Sequence, residues 1–194
     1  MAVQDLPEGV APAARSGRTP ASVSLLACLL LLGMAVAVTR IQLRMAPTFD
    51  EQNHVARGIA IWRTGDYRLC YHHPPLANLL QGLPVAWLPN GFTTRMPAWR
   101  AVESPQWLSI WEAARQTIWA HPAQGLRLIQ LARLPMLLFV VGLGVLIFCW
   151  ARALFGPWGG LLALAFYVLD PTMLAHGGLA TTDIAAACTL LLAL

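Results

Sequence analysis

Three groups of residues in this chain have the types and spacing of acid–base chemistry. Asp50 and Glu51 stand side by side in Pro47-Thr48-Phe49-Asp50-Glu51-Gln52-Asn53-His54. Two imidazoles follow in Tyr71-His72-His73-Pro74-Pro75-Leu76, and Asp170, His176, Thr181, Thr182 and Asp183 lie between two apolar runs. An ionised carboxylate can take the proton of an attacking hydroxyl, and an imidazole can accept or return one near neutral pH. Ionisable groups at the edge of apolar segments are costly to keep and tend to be functional. Chemistry at a membrane surface, on a lipid-carried substrate, accounts for all three groups.

Each group also has a local structural reading. Thr48 and Glu51 fit a capping box, with Thr48 capping the amide three residues on and Glu51 reaching back. Asp50 then falls in the first turn, where the helix dipole favours a negative charge. A cap of this kind also fixes the direction of a catalytic carboxylate, so the two readings coexist. His54 and Arg57 follow Asp50 by four and seven residues, which places all three on one helix face. His73 precedes a proline and is pushed out of the helical region, and Pro75 suits the first turn of the next helix. Thr181 or Thr182 is positioned to cap a helix with Asp183 in its first turn.

The elements that must hold these groups are those of a membrane protein. The chain is 57% hydrophobic and 11% charged, with a mean hydropathy of +0.58, whereas soluble domains run near a quarter charged. Residues 1–20 read as a flexible tail. Residues 21–39 are uncharged and long enough to cross a bilayer; a signal peptide is the alternative, against which stand the long core and the poor cleavage site at Thr39-Arg40. A second span is expected over 128–151, a tight turn at Phe155-Gly156-Pro157, a third span over 158–171, and the start of a fourth over 184–194. The last apolar run reaches Leu194 in mid-helix, so the expectation is a fragment, or a truncated product, of a larger protein.

Between the first two spans, residues 40–127 form a long outer loop carrying six of the eight tryptophans. Residues 76–88 read as an amphipathic surface helix bent at Pro84, and Trp107, Trp111, Ile118 and Trp119 fall within one helical stripe; both suit the headgroup zone, or alternatively an ordinary soluble core. Two spans joined by a short turn bring the 40–127 loop and the 172–183 loop to the same side. Asp50, His73, His176 and Asp183 are thereby expected at one membrane interface.

Other classes are excluded or left without support. Net charge is +4, all of it from scattered arginines, without the basic runs or aromatic platforms of nucleic-acid binding. Three of the four cysteines, Cys28, Cys149 and Cys188, lie in apolar segments and only Cys70 in a polar one, and no CxxC or zinc-type Cys/His spacing occurs. Arginines flank both ends of the first span, so the positive-inside rule does not fix orientation.

Taken in order, Phe49-Asp50-Glu51-Gln52-Asn53-His54, Gly65-Asp66-Tyr67-Arg68-Leu69, His73-Pro74-Pro75-Leu76-Ala77-Asn78-Leu79-Leu80, and Pro171-Thr172-Met173-Leu174-Ala175-His176-Gly177 with Thr181-Thr182-Asp183 resemble bacterial members of glycosyltransferase family 39. These are relatives of the protein O-mannosyltransferases and of the aminoarabinose transferase that modifies lipid A. The resemblance spans roughly residues 20–194. It implies an all-α, polytopic C-type glycosyltransferase fold in the inner membrane, with a cytoplasmic N-terminus, interfacial helices in a periplasmic first loop, and a polyprenyl-phosphate-linked sugar donor. It further implies inverting transfer to an acceptor hydroxyl, with Asp50 as general base, Glu51 as the second acid of the pair and Asp183 as the acid heading the fourth span. His54, His73 and His176 are supporting candidates. His54 departs from the pattern of the eukaryotic mannosyltransferases, which place histidine three residues after the aspartate. Later spans that would contact the lipid phosphate lie outside this chain, so the fragment alone is expected to be inactive.

The sugar, the acceptor (protein, lipid or glycan) and any divalent metal are left open by the sequence. Two other classes compete with the transferase: a transport or channel component, and a membrane scaffold whose tryptophan-rich loop docks partners. Against transport, the acids lie in loops and helix starts, not within spans.

Overall fold

A computed structural model describes residues 19–69, 73–101 and 107–194. Most of the 1–20 tail lies outside the described residues, as do Cys70, Tyr71 and His72 and the side chain of Trp107. The described residues form α-helices and no strand, in the order α1 (Ala21–Arg44), α2 (Glu51–Thr64), α3 (Pro75–Gly82), α4 (Pro97–Arg100), α5 (Trp107–Trp119), α6 (Pro122–Arg133), α7 (Met136–Leu169), α8 (Pro171–His176) and α9 (Asp183–Ala193).

Helix boundaries follow from local chemistry. α2 stops at Gly65, whose left-handed backbone (φ 69°) lets its N–H close onto the Ile61 carbonyl, a conformation that suits glycine. α3, α6 and α8 each begin with a proline, whose missing N–H costs nothing in the first turn. α7 is broken at Gly156 (φ 78°, ψ 179°), immediately before Pro157, where the tight turn was expected. Beyond it the chain doubles back. Gly160 lies against the Phe148 carbonyl, Gly144 against Leu164 and Tyr167, and the Tyr167 hydroxyl donates to the Val140 carbonyl at 2.8 Å. Residues 136–155 and 157–169 are therefore an antiparallel hairpin that ends next to where it began.

Two apolar cores divide the molecule. One joins α1, both limbs of α7, and α9, through Met34, Val38, Val140, Leu143, Leu164 and Ile184. The outward sides of these helices remain apolar: Leu25, Leu32, Leu138, Leu154, Phe155 and Phe166 are all more than half exposed, as expected where lipid replaces water. Ala21–Arg44 and the run Pro122–Leu169 contain the segments long and apolar enough to cross a membrane. The second core belongs to an outer helical unit, with Val55 and Ile59 of α2, Ile110, Ala114 and Ile118 of α5, and Leu128 and Ile129 of α6.

The helices add detail to the expected elements and differ from them over 76–88. The apolar run expected over 128–151 is divided between two helices: residues 128–133 finish α6 and pack in the outer core, and the hairpin helix starts at Met136 after a turn at Leu134-Pro135. A hydropathy window cannot separate a helix buried in protein from one facing lipid. The helix expected over 76–88 ends at Gly82 instead of bending at Pro84. The packed face of α5 is Ile110, Ala113, Ala114, Thr117 and Ile118, in the outer core, with Trp119 packed against that core.

Candidate active site

α2 carries the first catalytic candidates, and its placement is set by a glycine crossing. A Cβ added to Gly58 would collide with the Asn78 carbonyl and lie 2.7 Å from Gly82 Cα, so α2 and α3 approach to backbone contact. This closeness brings the fully buried Asn78 beneath His54, and the Asn78 amide donates to His54 Nδ1 at 3.0 Å. With Nδ1 an acceptor, the neutral ring carries its proton on Nε2. Burial, followed by the Arg57 and His73 charges, depresses the His54 pKa to about 4, outweighing the opposite pull of Asp183 and Glu51. His54 is thus a neutral imidazole at pH 7.

Glu51 faces the other way, into the protein. Its carboxylate pairs bidentately with Arg133, Nε to Oε1 and Nη2 to Oε2, both at 2.7 Å. It also accepts the backbone N–H of Thr48 and of Ala180, each at 2.8 Å. Burial alone would raise its pKa, but the hydrogen bonds from Arg133, Thr48 and Ala180 more than reverse this and hold it below the usual value. Arg133 completes its donors on the carbonyls of Gln42, Met45 and Ala46. The capping box is therefore half formed: Glu51 reaches back to Thr48, but the Thr48 hydroxyl donates to the same carboxylate at 3.1 Å instead of capping the helix amide.

Asp50 lies exposed at the mouth of a cavity of about 260 Å³, lined also by Asn53, His54, Arg57, His73, Trp111, Thr181, Thr182 and Asp183. The far wall is the 177–182 loop, held against the outer unit by the Ala180–Glu51 bond and by Gln81, which donates to the Thr181 carbonyl at 2.7 Å. The Thr181 hydroxyl donates to Asp183 at 2.9 Å, and neither Thr181 nor Thr182 caps α9 as expected. The His54 and His73 rings meet edge to face at 5.4 Å. An apolar groove of about 280 Å³, lined by Pro74, Leu76, Ala77, Ala185 and Leu190, adjoins the cavity through Thr182.

Of the six residues expected at the site, Asp50, His54, His73 and Asp183 come together in this cavity. Glu51 does not enter it, because its carboxylate is committed to Arg133. His176 stands in a separate cavity, on α8, which shares only Asp183 with the first. Asp170 caps α8 by accepting the Met173 amide at 2.8 Å. Among the described residues no group of three His, Cys, Asp or Glu side chains could hold a metal ion. Arg133 and Asn53 were missed as site residues in the sequence. Arg133 signals itself only as a charge at the head of an apolar run, next to Pro135.

Comparisons with protein-family models, with curated proteins and with solved structures return no match.

Proposed function

We propose that the chain is the N-terminal part of a membrane glycosyltransferase of the C type, akin to family 39. It would transfer a sugar from a polyprenyl-phosphate donor to an acceptor hydroxyl with inversion. The observation that carries this reading is the convergence of Asp50, His54, His73, Arg57 and Asp183, from segments far apart in the chain, in one cavity beside an apolar groove. In this reading Asp50 takes the proton of the acceptor hydroxyl as its oxygen attacks the anomeric carbon. The anomeric carbon–oxygen bond breaks, and polyprenyl phosphate leaves with the electron pair. Arg57 offsets the phosphate charge, neutral His54 offers its Nε2 proton as a hydrogen bond, and the groove takes the first prenyl units. The protein is then multi-pass in the inner membrane, with a cytoplasmic N-terminus and residues 40–127 periplasmic. Its partners are the lipid-linked donor, membrane lipid and an acceptor on protein, lipid or glycan.

The test is mass analysis of cell-envelope glycoconjugates in the native cell, with the gene intact, deleted, or carrying Asp50→Asn. Deletion should remove one glycan mass, and Asp50→Asn should cut its formation about 10²-fold or more at unchanged protein level, as for loss of a general base. Identical glycans with and without the gene would overturn the reading.

A further inference from the structure

Asn53 is 4% exposed and lines the cavity, and its side-chain oxygen Oδ1 has no hydrogen-bond partner in the protein. A buried amide oxygen without a donor is unfavourable and uncommon in native structures. The group that completes it must itself donate, which a phosphate or an ether oxygen cannot do and a hydroxyl can. Asp50 and Asp183, in the same cavity, are acceptors as well when ionised. Beside the donors of Arg57 and His54, the cavity therefore presents several acceptors that suit a ligand carrying hydroxyl donors.

Part of its lining is aromatic. Trp111 lines the cavity and is fixed by Phe49, which stacks on it with ring centroids 4.0 Å apart and planes 23° from parallel. A flat apolar surface opposite a few placed polar groups is the usual composition of a small-molecule site, and it matches a sugar ring, with its C–H face and its hydroxyl edge. A volume of about 260 Å³ is just under the ~300 Å³ at which such pockets commonly begin, enough for one ring and not for an oligosaccharide.

We infer that Asn53 is a specificity-determining residue, whose Oδ1 accepts a hydrogen bond from one hydroxyl of a monosaccharide ring held against Trp111. The choice of a sugar rests on the glycosyl-transfer reading, but the claim concerns binding and is tested without turnover. A site built to bond a hydroxyl rejects the analogue that lacks it, because its own polar group is left unpaired.

The experiment uses the purified protein in lipid nanodiscs and ligand-observed NMR with methyl hexopyranosides and their monodeoxy analogues. Wild type should bind at least one parent glycoside, and one of its monodeoxy analogues about tenfold more weakly. Asn53→Leu, similar in shape but without the acceptor, should bind the parent about tenfold more weakly and lose that discrimination. Asn53→Asp, which keeps an acceptor, should retain it. No glycoside binding by wild type, equal affinity for every deoxy analogue, or undiminished discrimination in Asn53→Leu would each overturn the inference. Should Asn53→Leu fail to fold, the deoxy series on wild type and Asn53→Asp decides alone. Discriminating binding with unchanged cellular glycans would remove the transfer reading and leave this one standing; altered glycans without discrimination would do the reverse.

Discussion

Glu51 and Arg133 form a bidentate ion pair in which the two side chains are 0% and 1% exposed. Through it the start of α2 is tied to the end of α6, through the Arg133 donors to the end of α1, and through Ala180 to the loop before α9. Asp50 and Glu51 are adjacent in sequence and opposite in role. One carboxylate opens into the cavity, while the other holds its walls together.

Removing one partner of such a pair leaves the other charge buried and alone. Glu51→Gln or Arg133→Met is expected to destabilise the protein by roughly 3–5 kcal/mol, whereas the double change to Leu and Met should recover much of the loss. Thermal unfolding of the purified protein in one detergent checks this. Single variants with wild-type Tm would show that the pair does not hold the fold.

Stability should fall on mild acidification, because of His54. Its folded pKa of about 4 lies below the ordinary 6.5. Above pH 6.5 both states are neutral there and the group contributes no pH dependence. As pH falls from 6.5 to 4 the unfolded chain takes up a proton that the folded one refuses, so stability drops by roughly 3 kcal/mol and then levels. Glu51, whose folded pKa is lowered, adds its own loss as pH falls through the ordinary carboxylate pKa toward its lowered one. His54→Asn, which can still accept from Asn78, should flatten the Tm profile between pH 4.5 and 6.5. An unchanged slope in that variant would assign the acid sensitivity elsewhere.

The glycine crossing gives a contrast. Gly58→Ala sets a methyl group against the backbone of α3, while the same change at Gly33, in α1, meets nothing within 4 Å. Gly58→Ala should cost about 1–3 kcal/mol or more, as overpacking does, and Gly33→Ala should be neutral or slightly stabilising. Equal Tm for the two variants would mean that α2 and α3 do not approach this closely.

Single cysteines introduced at the exposed positions Thr94, Thr172 and Arg152, after replacement of the native cysteines, test the hairpin in the membrane. A membrane-impermeant maleimide should label Thr94→Cys and Thr172→Cys from one side and Arg152→Cys only from the other. Labelling of Thr94→Cys and Thr172→Cys from opposite sides would sink the multi-pass arrangement.

What was legible beforehand was local. Asp50, His54 and Arg57 share a face because four and seven residues are one and two helical turns, and all three line the cavity. The break at Gly156-Pro157 needs only two residues to announce it. The partners of Glu51 lie 82 and 129 residues away, and no pattern in either stretch names the other. On α5 the packed face uses small residues such as Ala113 and Ala114, while Trp111 walls the cavity and Trp119 donates to Gln52 at 2.8 Å, and no spacing within α5 separates those two roles.

The Ala180–Glu51 bond has a consequence for the order in which the protein is made. Glu51 emerges from the ribosome early, Arg133 well after it, and Ala180 only when both limbs of the hairpin have been synthesised. Until then the carboxylate has only Thr48, Arg133 and water as partners, and the loop carrying Thr181 and Asp183 has not arrived. A nascent chain stalled before the hairpin would display Asp50 and His54 without the wall that makes them a site.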